Sequence, residues 1–131
     1  MAYLFDTDAV SEAIRPRRLP AYVDWLGTIP RSEQFVSAMT VGELYRGALE
    51  SARPAELIAV IEGELLRRLT VHVFDTATAR VFGEISARLR RAGTPLEDAD
   101  LQIAATALHH GLELVTGHIR HFSRVPDLII N

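Results

Sequence analysis

A chain of 131 residues, 48% hydrophobic and with a formal charge of -3, has the size and apolar content of one globular domain, residues 1–131. Zero Cys excludes disulfides and thiolate metal sites. No apolar run approaches the roughly 18 residues of a membrane helix, and the first residues lack the charged-then-apolar layout of a signal peptide, so a soluble cytoplasmic protein is expected.

A negative net charge opposes nucleic-acid binding, which phosphate contacts dominate. The distribution leaves the question open. All basic residues are Arg, and several cluster: Arg15, Arg17 and Arg18; Arg67 and Arg68; Arg90 and Arg91; Arg120 and Arg124. Arg suits bidentate phosphate contacts, and an acidic centre ringed by arginine can take RNA once metal ions neutralise the centre.

Residues 3–5 form a short apolar run that ends at once in Asp6, Thr7 and Asp8. That is the pattern of a buried parallel strand, whose sites lie beyond its carboxyl end. Thr7 or Asp8 suits the cap of a helix over 9–14, which Pro16 cuts short. A second helix spans 20–26, with Tyr22, Val23 and Leu26 apolar, and residues 34–38 read as the second strand. Thr40 and Glu43 have the capping-box spacing, so a helix is expected over 41–51. Pro54 suits the first turn of a helix to 68. Residues 71–74 read as the third strand, Asp75 or Thr76 caps a long helix to Arg91, and Gly93 ends it. A further helix starts at Asp98 and stops at Gly111, a residue that accepts the left-handed conformation of a helix end. Residues 112–115 and 128–130 read as the last strands. Strands alternating with helices imply an α/β three-layer sandwich, with a mostly parallel central sheet of about four to five strands flanked by helices.

The carboxylates carry the chemistry. Asp6 follows a strand, where a helix cap is the structural explanation. Glu43 has the capping box as its own, and Asp98 and Asp100 are placed to oppose a helix dipole. Yet all four fall at starts of helices that follow a strand or turn, and in a parallel α/β fold those points gather on one edge. Carboxylates gathered there repel one another unless a cation sits among them, and oxygen-only ligation selects Mg²⁺ or Mn²⁺. Such a cluster supports phosphodiester hydrolysis.

Four segments then carry a family likeness: Leu4-Phe5-Asp6-Thr7-Asp8 with Ser11-Glu12; Val41-Gly42-Glu43-Leu44 with Gly47; Asp100-Leu101-Gln102-Ile103-Ala104-Ala105; and Leu114-Val115-Thr116 through His121-Phe122 to Arg124-Val125-Pro126. Their order and spacing resemble the PIN-domain ribonucleases of the VapC toxin type. The resemblance implies a PIN-like fold and a metal-dependent endoribonuclease, the toxin of a type II toxin–antitoxin pair, that cuts structured RNA such as tRNA or ribosomal RNA. It implies a cognate VapB-like antitoxin, a homodimer and a toxin–antitoxin hetero-oligomer. Carried over residue by residue, Asp6, Glu43 and Asp100 match the acidic catalytic and metal positions, with Asp98 a further acid. Thr116 matches a hydroxyl bordering the site. His118 departs from the pattern, standing where the family usually has Asp or Asn. Thr116, His118, His121 and Arg124 are candidates for substrate contact.

Two other readings compete. A phospho-acceptor receiver domain is also α/β with an acidic edge, but it needs a Lys that this chain lacks. A catalytically weakened PIN-like binding module, with His118 marking a lapsed metal site, would bind metal without cutting RNA. The remaining histidines have structural readings. His109 and His110 precede a helix end, where a cation favours the dipole, and His72 packs in a strand. Tyr22 and Trp25 suit the core or a subunit contact better than base stacking.

Overall fold

The computed structural model describes residues 1–14 and 18–131. Pro16, expected to stop the first helix, lies outside them, as do Arg15 and Arg17 of the first arginine cluster. The strands are β1 (Tyr3–Phe5), β2 (Gln34–Ser37), β3 (Thr70–His72) and β4 (Glu113–Val115). They form one parallel sheet in the order β3-β2-β1-β4. The helices are α1 (Thr7–Ile14), α2 (Pro20–Gly27), α3 (Ala38–Glu50), α4 (Pro54–Val60), α5 (Leu66–Arg68), α6 (Thr76–Arg91), α7 (Asp98–His110) and α8 (Ile119–Phe122).

Neighbouring residues on a strand point to opposite faces, and the register carries that alternation across the sheet. Leu4 sits beside Leu114, and both join the apolar cluster of Ile85 and Leu89 from α6 and Leu101, Ile103 and Ala104 from α7. Phe5 sits beside Val115 and faces the other way, with Val10 of α1, Leu44 and Ala48 of α3, and Ile61 and Leu65. Two helical layers therefore cover the two faces, as the alternating pattern of the sequence required.

Several local expectations are revised. The run expected as one helix over 54–68 passes from α4 through a π-helical segment (Ile61–Leu65) into α5. The third strand ends at His72, leaving Val73 exposed. The expected strand over 128–130 is reduced to a single parallel bridge of Ile130 to Leu114. Gly111 does end α7 with φ of 65°, and Leu112 N donates to Ala107 O at 2.9 Å in the Schellman manner. Trp25 meets Tyr3 edge-on at 5.4 Å, and the Tyr22 hydroxyl donates to Ala9 O at 2.7 Å, so the two pack α2 on β1 and on α1. His72 is stacked between Phe35 (4.7 Å) and His110 (3.6 Å). Burial, with His109 beside it, holds His110 below its ordinary pKa, which reverses its expected role as a dipole-compensating cation.

Candidate active site

The strand order places β1 between β2 and β4, so the chain leaves β1 in one direction and returns on its other side at β4. Loops beyond the carboxyl ends of such a pair diverge and open a crevice. Asp6 follows β1 directly, and Thr116 follows β4 directly. A cleft of about 190 Å³ beside Asp6 is lined by Asp6, Thr7, Asp8, Glu43, Asp100, Ile103 and His118.

Asp6 is 3% exposed. One carboxylate oxygen accepts from Ala9 N at 2.8 Å, and the other accepts the Thr116 hydroxyl. Asp6 itself therefore caps α1, the structural role the sequence offered for it, in place of Thr7 or Asp8. The cap and the site are one side chain, each using a different oxygen. Burial raises the Asp6 pKa; the bonds from Thr116 and Ala9 and the nearby His118 pull against it, and the charge of Asp8 adds to the rise.

Glu43 reaches the cleft because α3 starts earlier than the sequence suggests. Ser37 is its cap and accepts from Thr40 N at 3.0 Å. Thr40 thus occupies the third helical position, and Glu43 lies a turn beyond any capping box. Its Oε1 instead accepts the Thr7 hydroxyl at 2.6 Å, while Arg46 stands 3.8 Å from Oε2. This replaces the capping-box reading of Glu43.

Asp100 enters from the first turn of α7. Burial raises its pKa, His121 opposes the rise, and Glu43 and Glu97 reinforce it. His121 Nδ1 lies 3.7 Å from Asp100 Oδ2. On the other side of the cleft, His118 Nε2 is bonded to Asp8 Oδ2, and its backbone N donates to Thr116 Oγ1 at 2.9 Å. The bond to Asp8 is the main reason its pKa is raised, with burial opposing and Asp6 and Asp100 assisting.

Of the sequence-predicted residues, Asp6, Glu43, Asp100 and His118 therefore line one cleft, with Thr116 bonded behind Asp6. His121 and Arg124 line an adjoining hollow that shares Asp100, where Arg124 donates to Pro95 O at 2.9 Å. Asp98 is not brought in: it sits exposed at the start of α7 and lines neither hollow. Asp8 was missed as a site residue. Its only sequence signal is its place in the Asp-Thr-Asp that ends the first strand; its partner lies 110 residues away.

The groups facing the cleft are carboxylate and hydroxyl oxygens and the His118 imidazole, and the oxygens suit a hard divalent cation. Three carboxylates from separate elements, two with pKa values raised by burial and like charge, are the electrostatic situation that a cation relieves. Among the described residues no three Asp, Glu or His side chains converge into a ready-made cage. Asp6 and Glu43 are instead held by donors of their own chain, and Asp100 lies 3.7 Å from His121 Nδ1.

The comparisons with known proteins agree with this geometry. The family model described as PIN domain matches residues 3–128. Ribonuclease VapC2 of Haemophilus influenzae is 38% identical over 128 residues, covering 98% of this chain and 95% of that protein. A tRNA(fMet)-specific endonuclease VapC of Salmonella typhimurium is 34% identical over 130 residues, covering 99% and 96%. The crystal structure of DNA-bound VapBC from Salmonella typhimurium superposes with a TM-score of 0.91 at 34% identity, over 100% of this chain and 97% of that one. The chain, with its acidic crevice at the carboxyl ends of β1 and β4, is a member of the PIN-domain family, in its VapC branch.

Proposed function

We propose that this protein is the toxin of a type II toxin–antitoxin pair, an endoribonuclease that hydrolyses structured RNA and is restrained by a VapB-type antitoxin. The observation that carries this reading is the convergence of Asp6, Glu43 and Asp100, from β1, α3 and α7, on one cleft at the switch point of the sheet. The relatives named ribonuclease and endonuclease supply the reaction class, and the VapBC assembly supplies the partner. Residues 1–131 act as one unit in this reading, assembling as a homodimer with the antitoxin.

Asp6, Glu43 and Asp100 would hold Mg²⁺, or Mn²⁺ in its place, and Asp98 would not. When bound, the ion lowers the pKa of a water and offsets charge on the phosphodiester. The chain's own residues set the geometry. Ala9 N and the Thr116 hydroxyl fix the orientation of Asp6, and the Thr7 hydroxyl fixes Glu43. Asp8 favours the protonated form of His118, which presents an imidazolium to a phosphate entering the cleft. His121 lines the adjoining hollow, its Nδ1 3.7 Å from Asp100 Oδ2.

The test is to incubate antitoxin-free protein with tRNA(fMet), total tRNA and ribosomal RNA, each with Mg²⁺, Mn²⁺ or chelator. Discrete fragments that require metal support the reading and identify the RNA. Metal binding without cleavage of any of these RNAs would replace it with the weakened binding module, in which His118 has supplanted a metal-site acid.

A further inference from the structure

At the other end of the sheet lies a larger cavity, about 470 Å³, whose lining includes Leu26, Ile29, Gln34 and three arginines, Arg18, Arg31 and Arg68. Gln34 opens β2 at its amino end, whereas Asp6 and Thr116 follow the carboxyl ends of β1 and β4. Strands of this length separate the two sites by roughly 10 Å or more.

The polar groups of this cavity are incompletely matched. Gln34 is 3% exposed, and its amide nitrogen donates to Ile29 O at 3.0 Å, which fixes the side chain. Among the described residues its buried Oε1 accepts from none, and the buried Nε of Arg68 donates to none. A buried polar atom without a partner is costly, so two beside one cavity call for an explanation. A void of about 10 Å³ lies next to both residues. One water fits there at most, and a water supplies no charge to the guanidiniums of Arg31 and Arg68, which have no carboxylate partner among the described residues.

We propose that this cavity is a second ligand site, separate from the acidic cleft, that binds a phosphomonoester. The chemistry selects the ligand. Arg68 Nε needs an acceptor, and arginine forks match phosphate oxygens. Gln34 Oε1 needs a donor. An ionised carboxylate only accepts, leaving Gln34 unmatched. A phosphomonoester near its second pKa of about 6 is partly singly protonated, and that form offers both ionised oxygens and an O–H. Leu26 and Ile29 provide an apolar wall for the organic body that carries the phosphate.

The experiment is an NMR titration of the full chain, in chelator and at constant ionic strength, with inorganic phosphate, AMP and acetate. Phosphate and AMP should shift the backbone amides of Ile29, Arg31 and Gln34, and acetate should not. Arg31→Gln and Arg68→Gln should each weaken binding about tenfold, the loss of one charge-assisted hydrogen bond. Asp100→Asn should bind as the unmodified chain does, which separates this site from the acidic cleft. Should Arg68→Gln fail to fold, Arg31→Gln on the exposed rim decides. Shifts confined to the surroundings of Asp6 and Asp100, equal binding of acetate, indifference to Arg31→Gln, or no shift at millimolar phosphate would each overturn the proposal.

Discussion

Thr116 donates its hydroxyl to Asp6, joining the end of β4 to the end of β1 across 110 residues of chain. The same hydroxyl oxygen accepts from His118 N at 2.9 Å. One side chain therefore ties the buried carboxylate to the loop that carries His118. Thr116→Val keeps the shape and leaves one oxygen of Asp6 without its donor. We expect a stability loss of about 1–3 kcal/mol, read by urea denaturation. The Asp6 pKa should rise further, because the Thr116 bond is the largest influence holding it down. Wild-type stability in the variant would mean that the bond contributes nothing.

Asp8 and His118 give a second expectation. The pKa of His118 is raised, so whatever the ion pair contributes is present below the ordinary imidazole value and lost as pH rises through the folded one. Both side chains are about half exposed, and solvent screening keeps the energetic effect small. The direct readout is therefore the imidazole titration by NMR. Asp8→Asn should move the His118 midpoint down. An unchanged midpoint would show that Asp8 does not hold the ring. His118→Asn, which restores a more usual family residue, should keep or increase Mg²⁺-dependent cleavage. Complete loss would make His118 essential in its own right.

The stacked pair His72 and His110 predicts acid sensitivity far from the active site. Burial and mutual repulsion with the neighbouring imidazoles lower both pKa values. A histidine with a lowered folded pKa binds fewer protons folded than unfolded, so stability rises with pH and falls as pH drops through the ordinary value near about 6.5. Denaturation midpoints at pH 8 and pH 5 should differ for the wild-type chain. The difference should shrink in His110→Gln; an undiminished difference would place the acid sensitivity elsewhere.

Most of the architecture is legible in the sequence because it is local. The apolar run ending in Asp6, the Gly111 helix stop and the alternation of strands with helices each depend on neighbours within a few positions. Glu43 shows where that fails. Thr40 and Glu43 have the spacing of a capping box, but Ser37 ends β2 and caps α3 with its own side chain, so the helix begins three residues early. Glu43 is thereby released to meet Thr7. Asp98 and Asp8 show the second failure. Proximity to Asp100 favours Asp98, yet a helix's first turn projects successive residues in different directions, and Asp98 faces solvent. Asp8 is bonded to a partner 110 residues away, which no window of sequence reveals.

Asp100 links stability to metal. Its pKa is raised by burial first, so the folded chain holds that proton more tightly than the unfolded one. Stability from this group is greatest in acid and declines as pH rises from the ordinary carboxylate value through the folded one. At neutral pH the metal-free chain therefore carries a cost that Asp100→Asn removes. We expect the variant to melt at a higher temperature than wild type in chelator. Mg²⁺ should raise the wild-type melting temperature and leave the variant unmoved, since an ion bound only by the folded state stabilises by mass action. Equal responses to Mg²⁺ would place the ion elsewhere.

The most direct test of the central claim is RNA cleavage by Asp100→Asn beside the unmodified chain, with tRNA and Mg²⁺ at neutral pH. The variant keeps the shape of the side chain and removes its charge. A cleft that works through Asp6, Glu43 and Asp100 predicts discrete, chelator-sensitive fragments from the wild type. It predicts their loss by at least about 100-fold in the variant, the upper end of the cost of disturbing supporting residues around a metal. Undiminished fragments from a folded Asp100→Asn would contradict the assignment of this cleft as the active site.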